Sequence, residues 1–86
     1  MNVIFKTLVE GERTIVTNNF EIERETRFEQ GDNVYIINLV VPTGRYILYS
    51  DIDEANIEAM HTRIIERIEA IYSGEQVSNV IDMYSI

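Results

Sequence analysis

Eighty-six residues without a cysteine are too few for a second hydrophobic core and leave no route to stabilisation by disulfides. Fifteen acidic side chains against seven basic ones give a net charge of −8, which repels polyanions, and one lysine with six scattered arginines offers no clustered surface for phosphate contacts. No stretch approaches the roughly 18 to 20 apolar residues of a membrane span.

The chain is expected to form a single domain over residues 1–86. Met1 to Glu10 lacks a basic region leading into an apolar core, so no signal peptide is read there. Absent cysteine fits a reducing compartment, and the expected location is cytoplasmic. Neither direct nucleic-acid binding nor a membrane is expected.

The first half reads as a run of short strands. Val3, Phe5 and Val9 alternate with Ile4, Lys6 and Leu8 before Gly11, where the chain can turn. Thr14 to Thr17 forms a second strand, and Asn18-Asn19 is the next turn signal, because asparagine tolerates the left-handed region. From Phe20 to Glu29 the period is two. Phe20, Ile22, Thr26 and Phe28 fall on one side, and Glu21, Glu23, Glu25, Arg27 and Glu29 on the other. Arg24 alone breaks the inward set, which places this strand at a sheet margin, where the arginine stem can pack while its head reaches water.

Gln30-Gly31-Asp32-Asn33 closes a hairpin, and Val34 to Val41, apolar except at Asn38, reads as a strand at the centre of the sheet. Pro42-Thr43-Gly44 turns the chain into a further antiparallel strand from Arg45 to Ser50. The helix signal follows, with Asp51 or Asp53 as N-cap, Glu54 in the first turn and Gly74 at the stop. Ile57, Met60, His61, Ile64, Ile65, Ile68, Ile71 and Tyr72 share one face of it, while Glu58, Glu66 and Glu69 line one flank and Arg63 and Arg67 the other. The apolar tail from Val77 to Ile86 reads as a last strand. The predicted class is α+β: an antiparallel meander of about five strands, one long amphipathic helix (about 53–73) packed on one face, and a C-terminal strand.

Chemistry is sparsely represented. His61 is the only histidine, and its place on the apolar helix face marks it as a boundary residue, with no nucleophile or ligand set in sight. Asp51-Ile52-Asp53-Glu54 resembles a fragment of a calcium loop but lacks the glycine and distal glutamate of one, so it is read as a helix start. The four glycines are singletons at turns rather than a phosphate loop. No catalytic residue, cofactor or metal is therefore expected.

What remains is surface. The row Glu21, Glu23, Glu25 and Glu29 is the candidate partner-binding site, and a small non-enzymatic interaction module, an accessory or inhibitory factor meeting a protein with a basic groove, is the expected function. One alternative is a nucleic-acid mimic in which the same row stands in for phosphates, by analogy of size and charge with phage anti-defence inhibitors. Another is a homodimer, paired through the final strand or through residues such as Tyr35, Ile37, Leu39, Tyr46 and Leu48 that one helix leaves uncovered.

Overall fold

The computed structural model describes residues 1–75 and 77–86. Among these, strands β1 (Val3–Thr7), β2 (Arg13–Thr17), β3 (Glu21–Glu29), β4 (Asp32–Val41) and β5 (Gly44–Asp51) precede helix α1 (Glu54–Tyr72) and the short strand β6 (Val80–Asp82). The fold is α+β with a meander-like order of strands, one long helix and a C-terminal strand.

The hydrogen bonding divides into two three-stranded sheets, ordered β2-β1-β6 and β3-β4-β5. The division falls between β2 and β3. Neither Asn18 nor Asn19 takes the left-handed conformation; instead the Thr17 hydroxyl accepts from the Asn19 N–H (3.1 Å) and donates to the Asn19 carbonyl (3.0 Å), a side-chain turn. It releases Phe20 into the interior, where its ring meets Phe5 edge-on at 5.2 Å, and β3 starts a new ladder. The vacant edge of β1 is taken by β6, which runs parallel to it with Phe5 opposite Ile81.

Alternation places Val3, Phe5 and Thr7 of β1 inward, all fully buried. The strand ends at Thr7, so Leu8 is exposed and Val9 only half-buried. In β5 the run Tyr46-Ile47-Leu48-Tyr49 does not alternate, and a bulge explains it. Ile37 faces Tyr49 while Asn38 faces Ile47, which leaves Leu48 unpaired and 1% exposed in the core. The Thr7 hydroxyl donates to the Ile47 carbonyl at this bulge (2.9 Å), tying the two sheets together.

Asp53 is the N-cap of α1, its carboxylate accepting from the Ala55 N–H at 3.0 Å. At the other end Gly74 is left-handed (φ 83°), and the Glu75 N–H reaches the Ala70 carbonyl (3.2 Å), the long bond of a Schellman stop. Ile57, Ile64 and Ile71, spaced by sevens, are buried against Val3, Phe5, Ile37, Leu39, Val41, Leu48 and Ile81, with Met60 and Ile68 half-buried beside them.

Three expectations about exposure are corrected here. Ile37, Leu39 and Leu48 are not uncovered, because the first sheet joins the helix in closing over them; Tyr35 and Tyr46 are half-buried, and Tyr46 carries the Arg13 guanidinium 5.4 Å from its ring centre. Tyr72, placed on the buried arc, is 49% exposed, although its ring lies 6.4 Å from Phe20. Arg67 is half-buried and donates to the Ser78 (3.1 Å) and Val80 (3.4 Å) carbonyls, because it lies between Ile64 and Ile71 on the inward stripe and so faces β6.

Candidate functional site

β3 is the edge of its sheet, paired among the described residues with β4 alone. Its odd-numbered residues share the face that carries Ile36 and Asn38 of β4, since Glu23 stands opposite Asn38 and Glu25 opposite Ile36. The alternation read from the sequence is therefore the one observed: Glu21, Glu23, Glu25 and Glu29 do lie on one face.

They do not form a free row of charges. Asn38, 1% exposed, donates through Nδ2 to Glu25 Oε1 (2.7 Å) and more weakly to Glu23 Oε1 (3.4 Å). The Arg27 guanidinium grips Glu25 with both prongs, Nε to Oε2 at 2.7 Å and Nη2 to Oε1 at 3.2 Å. Arg45, across the sheet on β5, holds Glu23 in the same forked way, both bonds at 3.2 Å. The hydrogen bond from Arg27, followed by that from Asn38, lowers the Glu25 pKa below its ordinary value against the opposing effect of desolvation, and the hydrogen bond to Glu25, followed by its negative charge, raises that of Arg27. For Glu21 and Glu29, both exposed, no side-chain partner is found among the described residues.

The even-numbered face of β3 tells a different story. Ile22 is half-buried against the core, but Arg24, Thr26 and Phe28 are exposed, Phe28 at 74%. Every residue from Thr26 to Asn33 is exposed. This is the tip of the β3–β4 hairpin, closed by Gln30 (φ 51°) and Gly31 (φ 84°) in a two-residue turn whose left-handed positions suit Gly31 at no steric cost. Alternation assigns Phe28 to the inward side, correctly as to face, but among the described residues nothing covers that face so far out along the hairpin.

No family model, curated protein or solved structure matches the chain. Among the described residues no helix is long and apolar enough to cross a membrane, and no three His, Asp or Glu side chains converge as a metal site. The Asp51 carboxylate is occupied by the Asp53 N–H (2.9 Å), Asn56 Nδ2 (3.0 Å) and the Tyr49 hydroxyl (3.1 Å), with a pKa lowered chiefly by the first of these. The segment read as a helix start is one. A cavity of about 100 Å³ lies beside Arg67, Val80, Asp82 and Ser85, where the buried Arg67 Nε has no partner among the described residues.

His61 is half-buried on α1, and its pKa is lowered, first by desolvation and then by the positive charge of Arg24. A depressed histidine adds stability above its unfolded pKa of about 6.5, and that stability is lost as pH falls through this value towards the folded one. Stability should thus decline between about pH 7.5 and pH 5, and His61→Gln should flatten this part of the profile. Urea midpoints at the two ends of the interval measure it; identical profiles for parent and variant would show that His61 is as well solvated in the folded chain as in the unfolded one.

Proposed function

We propose that this chain is a protein–protein interaction module with no chemistry of its own, and that its contact surface is the free edge of β3 together with the tip of the β3–β4 hairpin. The observation that carries this reading is Phe28, a large apolar side chain left 74% exposed on an unpaired edge strand. Unpaired main-chain groups on such an edge supply hydrogen bonds to an added strand, and side chains on its two faces supply selectivity. The absence of cysteine supports action in a reducing compartment such as the cytoplasm.

Support for a role without catalysis comes from how the candidate groups are used. Glu23 and Glu25 are bonded to arginines, Asp51 braces the start of the helix, and His61 sits beside Arg24 with no nucleophile assigned to it. The same bonding makes polyanion mimicry the lesser reading, because a phosphate-like ladder needs Glu21, Glu23, Glu25 and Glu29 to face a basic groove unneutralised, and Arg27 and Arg45 already occupy the middle of the row.

A photo-crosslinking amino acid at position 28 tests the surface directly in the source cell. Protein adducts are expected from position 28 and not from position 58, an exposed site on the helix. Adducts from neither position, or equally from both, would remove the hairpin from consideration.

A further inference from the structure

The free edge of β3 has a direction and a register that can be read. Glu29 and Asp32 flank the two-residue turn and so exchange both of their ladder bonds, and the pattern repeats at every second residue along an unbroken register. The main-chain N–H and C=O groups of Ile22, Arg24, Thr26 and Phe28 therefore point away from β4, towards whatever strand is added.

An antiparallel copy of β3 could be added with different residues on the two-fold axis, and the charges discriminate between these choices. With Arg27 on the axis, guanidinium meets guanidinium and Glu25 meets Glu29. With Glu25 there, Glu23 gains Arg27, but Glu25 meets its own image and Glu21 meets Glu29 twice. With Arg24 there, Glu21 gains Arg27, but two arginines meet and Glu23 meets Glu25 twice; with Phe28 there, Arg27 meets Glu29, but β3 ends at Glu29, so only residues 27–29 of each strand overlap and little of the ladder can form. Thr26 is different. On that axis Glu25 of each copy faces Arg27 of the other, twice over, Thr26 faces Thr26, and each Arg24 faces the other copy's Phe28.

The Glu25–Arg27 pair is already formed within one strand at 2.7 Å and is partly exposed, so the two-fold would join two such pairs into a closed ring of four alternating charges. On the opposite face, Phe28 would gain the stem and guanidinium of Arg24 as cover. The like-charged meeting, Glu23 with Glu29, also occurs twice, but each time it involves a carboxylate that Arg45 already holds and another at the solvated hairpin tip.

Resting on the assignment of the β3 edge as the contact surface, the geometry points to a second copy of this chain as the partner, added antiparallel through β3 with Thr26 on the two-fold axis. Each copy contributes a three-stranded sheet, and the two become continuous across the axis. The interface is isologous, as expected of a closed dimer. Its ring of charges is open to solvent, so added salt weakens it.

The chain has no cysteine, which makes single-cysteine scanning clean. Opposed Cα atoms in a hydrogen-bonded antiparallel pair lie about 5.5 Å apart, within disulfide range. Mild oxidation of Thr26→Cys should then give a cross-linked species of twice 10.0 kDa, faster than Arg24→Cys, Glu25→Cys or Arg27→Cys. Sedimentation equilibrium of the unaltered chain should give the same doubled mass, reduced towards 10.0 kDa by Phe28→Asp or by molar salt. A single 10.0 kDa species at high micromolar concentration, or cross-linking that peaks at position 24 or 25, overturns the proposal. A monomer that still yields adducts with other proteins from position 28 overturns self-pairing alone and leaves the contact surface standing. Absence of adducts of any mass removes both.

Discussion

Asn38→Asp is expected to destabilise the protein sharply at neutral pH while sparing it in acid. Asn38 is 1% exposed on the central strand, and its amide donates to Glu25 and Glu23 together. Aspartate offers no donor and adds a third carboxylate beside those two. An unpaired charge in such a place costs about 3 to 5 kcal/mol, against a total stability of about 4 to 13 kcal/mol for a chain of this length.

The sign follows from the direction of the shift. The new carboxyl has its folded pKa raised, so the deficit is absent below the unfolded value of about 3.9 and grows as pH rises through the folded one. Glu25 in the parent behaves in the opposite way: its folded pKa is lowered, so its contribution is present above its unfolded value and is lost in acid. The gap between parent and variant urea midpoints should therefore be wide at about pH 7 and narrow at about pH 3.5. A variant within about 0.5 kcal/mol of the parent at neutral pH would mean that the amide does not hold the two carboxylates in solution.

Ile64→Ala should have an effect of similar size for a different reason. Ile64 is fully buried midway between Ile57 and Ile71, in the core cluster to which both sheets contribute. Removing a large aliphatic side chain from such a site costs about 2 to 5 kcal/mol. Ile52→Ala makes the control, since Ile52 is 70% exposed just ahead of the helix; its effect should stay within about 0.5 kcal/mol. Urea unfolding followed by far-ultraviolet circular dichroism measures both. Equal losses at the two positions would contradict the packing described for α1.

The acidic row illustrates how far a local pattern reaches. Period-two alternation from Phe20 to Glu29 places Glu21, Glu23, Glu25 and Glu29 on one face, and the structure agrees. The partners that alter its electrostatic character come from elsewhere: Asn38 lies 15 residues from Glu23, and Arg45 lies 22. Asn38 did stand out as the one polar residue in an apolar strand, which was a usable signal, since a buried amide requires hydrogen-bonding partners. Arg45 carried no such signal, because nothing in the local sequence distinguishes an arginine that crosses a sheet from one that is merely solvated.

Phe28 and Arg67 are complementary cases. Alternation assigned Phe28 to the inward face, but a face becomes interior only where another layer lies over it, and the hairpin tip extends past that cover. Arg67 was assigned to a charged flank, yet its position between Ile64 and Ile71 turns it towards β6, where two carbonyls receive it.

By itself, the sequence determined which segments become strands and which becomes the helix, where the chain turns, how the helix is capped, and which residues of β3 share a face. These properties depend on interactions within a few residues: hydrophobic period, the conformational freedom of Gly31 and Gly74, the carboxylate of Asp53. Only the tertiary structure decided that the strands divide into two sheets, that β6 runs parallel to β1, that Leu48 occupies a bulge bonded to Thr7, and that Phe28 remains in water. The physical reason is that main-chain hydrogen bonds and apolar surfaces are nearly interchangeable between candidate partners. The choice among them is made by the packing of the whole chain, to which no short window of residues has access.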